Sequence, residues 1–123
     1  MIQHFRFGSP IRTDSVVQDI PVSTGAVPFL TADADGWVYT MAPDAIVYGL
    51  GEMPRGINKR GWHYVANNTD ESHHGENKVS YYGAHNFLLI DGGPGGDLFG
   101  VFVDFPGKVH YDIGYTVHDT LRF

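Results

Sequence analysis

Apolar and polar residues alternate through much of this chain with a period of two. Ile2 to Phe7 sets Phe5 and Phe7 on one side and His4 and Arg6 on the other, the pattern of a half-buried strand, which Pro10 closes. Ile11 to Pro28 carries scattered Val and Ile between prolines and predicts edge strand or loop. After the turn Asp33-Ala34-Asp35-Gly36, the residues Trp37, Tyr39 and Met41 share a face, which predicts a strand over Gly36–Met41. A further strand is expected over Ile46–Leu50. The next two, over Tyr81–Asp91 and Leu98–Phe105, are joined into a hairpin by Gly92-Gly93-Pro94-Gly95-Gly96, which only a turn accommodates. Leu98 to Val103 is apolar on both faces and predicts a central, doubly covered strand. Lys108–Ile113 and Tyr115–Phe123 extend the meander, with Pro106-Gly107 and Gly114 as punctuation.

Residues 53–79 break this rhythm. They mix Pro54, Gly56, Gly61 and Gly75 with Asn58, Lys59, Arg60, Asn67, Asn68, Asp70, Glu71, His73 and His74. So long a polar stretch inside a compact domain marks a functional or disordered segment. No segment has the period of an amphipathic helix, and no internal repeat occurs. Many short strands with Gly/Pro turns predict an all-β fold, an antiparallel β-sandwich.

Composition narrows the function classes. A length of 123 residues allows one domain but not a TIM barrel, which takes about 250 residues. Apolar residues make up 42% and aromatics 14%, with Phe, Tyr and Val favouring strands over helices. The net charge of −6 argues against nucleic acid as a partner, because phosphate binding needs clustered Lys and Arg. The chain has no cysteine, so neither disulfides nor a thiol nucleophile enter the argument, and a cytoplasmic location is expected. Met1 to Ser9 lack the apolar core of a secretory signal, and no run of about 20 apolar residues exists to cross a membrane as a helix, so no membrane partner is expected.

Several blocks then occur in one order: Tyr48-Gly49-Leu50-Gly51-Glu52, Asn58-Lys59-Arg60-Gly61, Asn68-Thr69-Asp70, Tyr82-Gly83-Ala84-His85-Asn86-Phe87, Phe99-Gly100-Val101-Phe102-Val103-Asp104 and Tyr111-Asp112-Ile113-Gly114. Together they resemble the amino-terminal domain of glycoside hydrolase family 31, the family of α-glucosidases. The resemblance covers roughly residues 46–123. It implies a galactose mutarotase-like β-sandwich spanning residues 1–123, truncated before its last strands, with the catalytic TIM barrel downstream and outside this chain. It further implies an accessory role in carbohydrate hydrolysis, in which the sandwich supports the barrel and lends a loop to the subsite of the leaving-group sugar. In the family the Asn-Thr-Asp loop lines that subsite, which makes Asp70 a sugar ligand and Asn68 and Ser72 weaker candidates. The family often has Asp-Pro directly after this aspartate; here Glu71-Ser72-His73-His74 follow, so the loop's shape is open. The implied partners are an oligosaccharide or α-glucoside substrate and the barrel of the same polypeptide. The alternative is a free-standing carbohydrate-binding sandwich with no enzyme attached.

No residue of this chain is expected to be catalytic. Retaining glycosidases need two carboxyl groups about 5–5.5 Å apart; in the family both are barrel aspartates, and the nucleophile motif Asp-Met-Asn-Glu is absent here. The isolated chain is therefore expected to be inactive. Asp70 has a plainer reading, an Asx-type turn ending a strand. His73, His74 and Glu76 with His85 could suggest a metal cluster, but adjacent histidines on a strand point to opposite faces, so neither metal nor other cofactor is expected. Lys59 and Arg60 are read as structural partners of Glu52 or Asp104 rather than a clamp on an acidic substrate. The glycine-rich segments lack the helix start and Lys-Ser/Thr of phosphate loops. Among the aromatics Trp62 stands beside the polar stretch and is the one singled out for ring stacking on a sugar. Finally, an apolar barrel-facing surface and an unpaired strand near Leu121 to Phe123 are expected to make the isolated domain self-associate.

Overall fold

A computed structural model of the protein describes residues 30–70 and 72–123. The strand expected over Ile2–Phe7 and the edge segment Ile11–Pro28 lie outside the described residues. Eight strands follow: β1 (Leu30–Asp33), β2 (Gly36–Thr40), β3 (Ile46–Gly51), β4 (Trp62–Ala66), β5 (Ala84–Asp91), β6 (Leu98–Phe102), β7 (Val109–Ile113) and β8 (Thr120–Arg122). They form a five-stranded sheet in the order β1-β2-β8-β7-β4 and a three-stranded sheet in the order β3-β5-β6. All pairings are antiparallel. This is the antiparallel β-sandwich that the alternation predicts.

One face of each sheet turns inward. Val47, Leu88 and Ile90 from the smaller sheet meet Tyr64, Ala66, Tyr111, Ile113 and Leu121 from the larger, and Met41, Leu50 and Met53 fill the ends. Full burial of an aliphatic side chain is worth about 1.5–3 kcal/mol, so this layer holds the sheets together. The motif Gly49-Leu50-Gly51 is where β3 shifts register. All three residues have positive φ, at 117°, 64° and 72°. A Cβ on Gly49 would fall 2.3 Å from the Phe87 carbonyl oxygen, and one on Gly51 2.2 Å from that of Gly83, so both must be glycine. Leu50 adopts the left-handed region at a cost of about 1–2 kcal/mol, offset by complete burial of its side chain.

The arrangement departs from the sequence pattern in three places. β4 lies inside the stretch read as continuous polar loop: five residues, of which only Tyr64 and Ala66 turn fully inward, give too little alternation to register. Among the described residues β6 is an edge, not a central strand, and Leu98 and Phe102 are 68% and 69% exposed while Phe99 and Val101 face the core. The ring of Phe87 lies across Gly100, whose absent side chain leaves room for it, so this outer face is apolar. Finally, the chain after β6 crosses to the other sheet instead of extending the hairpin. There β8 is enclosed between β2 and β7, with Leu121 buried and Phe123 exchanging backbone hydrogen bonds with Trp37. The unpaired strand expected near Leu121–Phe123 is therefore corrected to an interior one. It is also shorter than expected, since Asp112 accepts the N–H groups of Tyr115 and Thr116 and the Thr116 hydroxyl and so folds residues 115–119 into a turn.

Candidate functional site

The polar stretch divides into two unlike halves on either side of β4. In the first, residues 52–61, the polar side chains bind the chain itself. Asn58 Oδ1 accepts the N–H of Val47 at 3.3 Å and of Arg60 at 3.1 Å, and the Lys59 N–H donates to the Val47 carbonyl, which covers the outer edge of β3. Lys59 is only 4% exposed, and its ammonium donates to the carbonyls of Met53, Pro54 and Gly56 at 3.2, 3.2 and 2.6 Å. Burial lowers its pKa, partly opposed by Glu76. Arg60 donates to the carbonyls of Ala42, Pro43, Ala45 and His118, tying the turn before β3 to the turn before β8. The structural reading of these two cations stands, with backbone carbonyls as partners in place of Glu52 and Asp104. The reason is geometric: a ring of convergent carbonyls satisfies a cation at close range without burying a second charge.

Arg55, also at positive φ, lays its guanidinium 4.4 Å from the centroid of the Trp62 ring. Trp62 is 44% exposed, but one face of its indole is thus engaged by Arg55. Beneath them Tyr64 is fully buried, which pushes its phenol up to about 12 against the opposing influence of Arg55.

The second half, after β4, carries the predicted sugar contacts. Its stems are joined by a Val65 N–H to Val79 carbonyl bond of 2.9 Å and by the Ser80 hydroxyl donating to the Asn67 carbonyl at 2.8 Å. Further out, the Tyr81 hydroxyl accepts the Gly75 N–H at 2.9 Å and donates to the Gly75 carbonyl at 2.8 Å. Glu76 accepts the backbone N–H of Arg55 at 2.7 Å, linking the two halves. His74 stacks on Tyr81 with ring centroids 4.7 Å apart and meets Tyr82 edge-on, so its ring serves packing. His85, in β5, sits with its ring against Gly51, where a Cβ would come within 2.6 Å.

Between these anchors Asn68, Asp70 and Ser72 are all exposed. The structure places them on one loop but forms no hydrogen bond among them. Ser72 contacts the ring of its neighbour His73 at 2.8 Å, whereas the side chains of Asn68 and Asp70 bind nothing within the described residues. Asp33 and Asp91 behave differently: Asp33 accepts the N–H of Asp35, and Asp91 that of Gly93, each at 3.0 Å. Asp70 makes no such turn. Asn68, but not Asp70, lines a cleft of about 350 Å³, together with Asn67, Asn86, Phe105 and Lys108 among others.

A family model described as a glycosyl hydrolase 31 N-terminal galactose mutarotase-like domain matches residues 23–112. The chain belongs to this family. Among solved structures it is similar to the family 31 dextranase of Flavobacterium johnsoniae complexed with glucose, and to a mutant of that enzyme complexed with isomaltotriose. In both cases the TM-score is 0.60 and the identity 23%, over 79% of this chain and 12% of the dextranase, a likeness of fold. No curated protein matches the sequence. The chain is thus an N-terminal domain of a family 31 enzyme and spans a small part of the length of its structural relatives. Within it, the Gly-Leu-Gly and Asn-Lys-Arg-Gly blocks are explained by folding alone, as a bulge and as a set of backbone ties. The Asn68-Thr69-Asp70 block is not.

Of the residues that hold these loops, Arg55 carries no signal in the sequence, Glu76 stands out there only as a metal-ligand candidate, and Tyr81 only as a strand aromatic. The tie between Arg55 and Glu76 lacks any local signal because they meet across 21 positions of chain. Tyr81 reads as a core aromatic, which its ring is; only its hydroxyl has a second task.

Proposed function

We propose that this domain is an accessory part of an α-glucosidase-like hydrolase, lending the loop after β4 to the subsite of the leaving-group sugar. The observation that carries this reading is the unpartnered carboxylate of Asp70. A side chain whose purpose is an Asx turn closes on the backbone two residues on, as Asp33 and Asp91 do here. Asp70 instead stands exposed on a loop whose two ends are pinned, free to accept hydrogen bonds from vicinal sugar hydroxyls. A carboxylate so placed would select leaving groups that carry those hydroxyls. Asn68 and Ser72 lie on the same loop and are assigned lesser contacts.

The exposed apolar face of β5 and β6, with Phe87, Leu98 and Phe102, supports the second half of the role, packing against the catalytic barrel of the same polypeptide. The isolated domain is expected to hydrolyse no aryl α-glucoside. In the full-length enzyme, Asp70→Ala should cost about 1.5–3 kcal/mol in kcat/KM on disaccharides, the worth of hydrogen bonds to a charged group, and much less on an aryl glucoside. Equal losses on the two substrates would mean that Asp70 has no leaving-group contact.

A further inference from the structure

The loop that carries Asp70 is held at two levels, and at the outer one the hydroxyl of Tyr81 takes the backbone of Gly75. At the base, Ser80 and Val79 close residues 67–78 against the end of β4. Above the base, the phenol of Tyr81 takes both backbone groups of Gly75, accepting from its N–H and donating to its carbonyl. The Gly75 carbonyl also accepts the N–H of Lys78 at 3.0 Å, so the same residue closes the turn over 75–78. Tyr81 is itself packed in place: it is 9% exposed, His74 stacks on its ring, and β5 begins three residues later. Asn67 and Gly75, on either side of Asp70, are therefore both held by side-chain hydroxyls that follow in the chain, those of Ser80 and Tyr81.

We propose that Tyr81 is a positioning residue for Asp70, its hydroxyl fixing the loop at Gly75 so that the carboxylate is presented in one place. This rests on the reading of Asp70 as a leaving-group ligand and adds to it the device that orients it. A rigid ligand loop loses little conformational entropy on binding, whereas a loose one must be ordered by the sugar. The hydroxyl, not the ring, carries this role, so Tyr81→Phe separates it from packing. The ring stays stacked on His74 while both hydrogen bonds are lost.

The test compares Asp70→Ala and Tyr81→Phe in the full-length enzyme, each assayed on a disaccharide and on an aryl glucoside, together with hydrogen exchange at the Gly75 amide. Tyr81→Phe should raise KM for the disaccharide about tenfold with a severalfold smaller change in kcat, should affect the aryl glucoside much less, and should speed exchange at Gly75. If Asp70→Ala discriminates between the substrates and Tyr81→Phe does not, the positioning role is overturned while the subsite reading stands. Equal losses on both substrates in Tyr81→Phe, or unchanged exchange at Gly75, would also overturn it. If Asp70→Ala itself fails to discriminate, the subsite reading falls and the positioning role with it. Glu76→Ala provides a second variant: it removes the tie to Arg55 at the far side of Gly75 and should give a weaker effect in the same direction.

Discussion

Two polar segments flank β4 and have opposite fates. In residues 52–61 three side chains are committed to the chain itself: Lys59 is enclosed by three carbonyls, Arg60 by four, and Asn58 covers a strand edge. Residues 67–78 are tied at their base, at Gly75 and at Glu76, and leave the side chains of Asn68 and Asp70 uncommitted. The difference teaches that polarity alone does not mark a binding loop. What separates the two is whether convergent backbone acceptors lie within reach of the side chain, and that depends on the bulge at Gly49–Gly51 and the turns around it.

The contrast should be largest in stability. Lys59→Met keeps the length and apolar stem of the side chain but strips the carbonyls of Met53, Pro54 and Gly56 of their shared donor in a buried place. Unfolding of the domain in urea should show a loss of about 3 kcal/mol, the penalty for buried acceptors left unpaired. A loss under about 1 kcal/mol would place residues 52–61 in the same class as the exposed loop.

A smaller effect distinguishes the floor of the first segment by its response to alkali. Burial raises the phenols of Tyr64, to about 12, and of Tyr111 above their unfolded value of 10.0. A group whose folded pKa is raised stabilises fully below its unfolded pKa and loses that contribution as pH rises toward the folded one. Lys59 acts in the opposite sense, since its lowered pKa makes stability rise with pH, but only up to its unfolded value of 10.5. Between that value and about 12, stability should therefore fall by about 1.4 kcal/mol per pH unit for each tyrosine. Tyr39, whose phenol is also raised by burial, contributes in the same sense, and Tyr64→Phe should remove one of the three contributions, read as a shallower slope of unfolding free energy against pH. An unchanged slope would mean that Tyr64 ionises freely in the folded domain.

The smallest effect belongs to the exposed loop. Asp70→Ala should change the stability of the domain by less than about 0.5 kcal/mol, because the carboxylate has no partner to lose. A larger loss in urea unfolding would show that Asp70 supports its own loop after all, and would narrow the contrast with Lys59.

Much of the architecture is legible without coordinates, and the exceptions have physical causes. β2, β3, β5 and β7 occupy segments where alternation is sustained and glycine or proline marks the ends. β4 escapes notice because its five residues sit among polar neighbours, and strands so short gain their identity from pairing with β7 and not from their own pattern. The apolar residues on both sides of Leu98–Val103 were read as two covered faces; they correspond to one covered face and one open one. In the exposed loop, the Asn-Thr-Asp block can be picked out by its resemblance, but its freedom from internal partners cannot be read from residue types. The same aspartate side chain closes a turn at Asp33 and at Asp91.

Sequence by itself determined the class of fold, the turn at Asp33–Gly36, the hairpin through Gly92–Gly96 and the membership of a family, because each depends on local spacing or on order along the chain. Only the tertiary structure decided which sheet each strand joins, that β8 lies inside and β6 at an edge, and that Lys59 is consumed by carbonyls while Asp70 is not. The reason is range. A period of two fixes which residues share a face, but the partner of a strand edge or of a charged side chain comes from distant chain, as when Arg60 reaches the carbonyl of His118, and that meeting exists only once both sheets have packed.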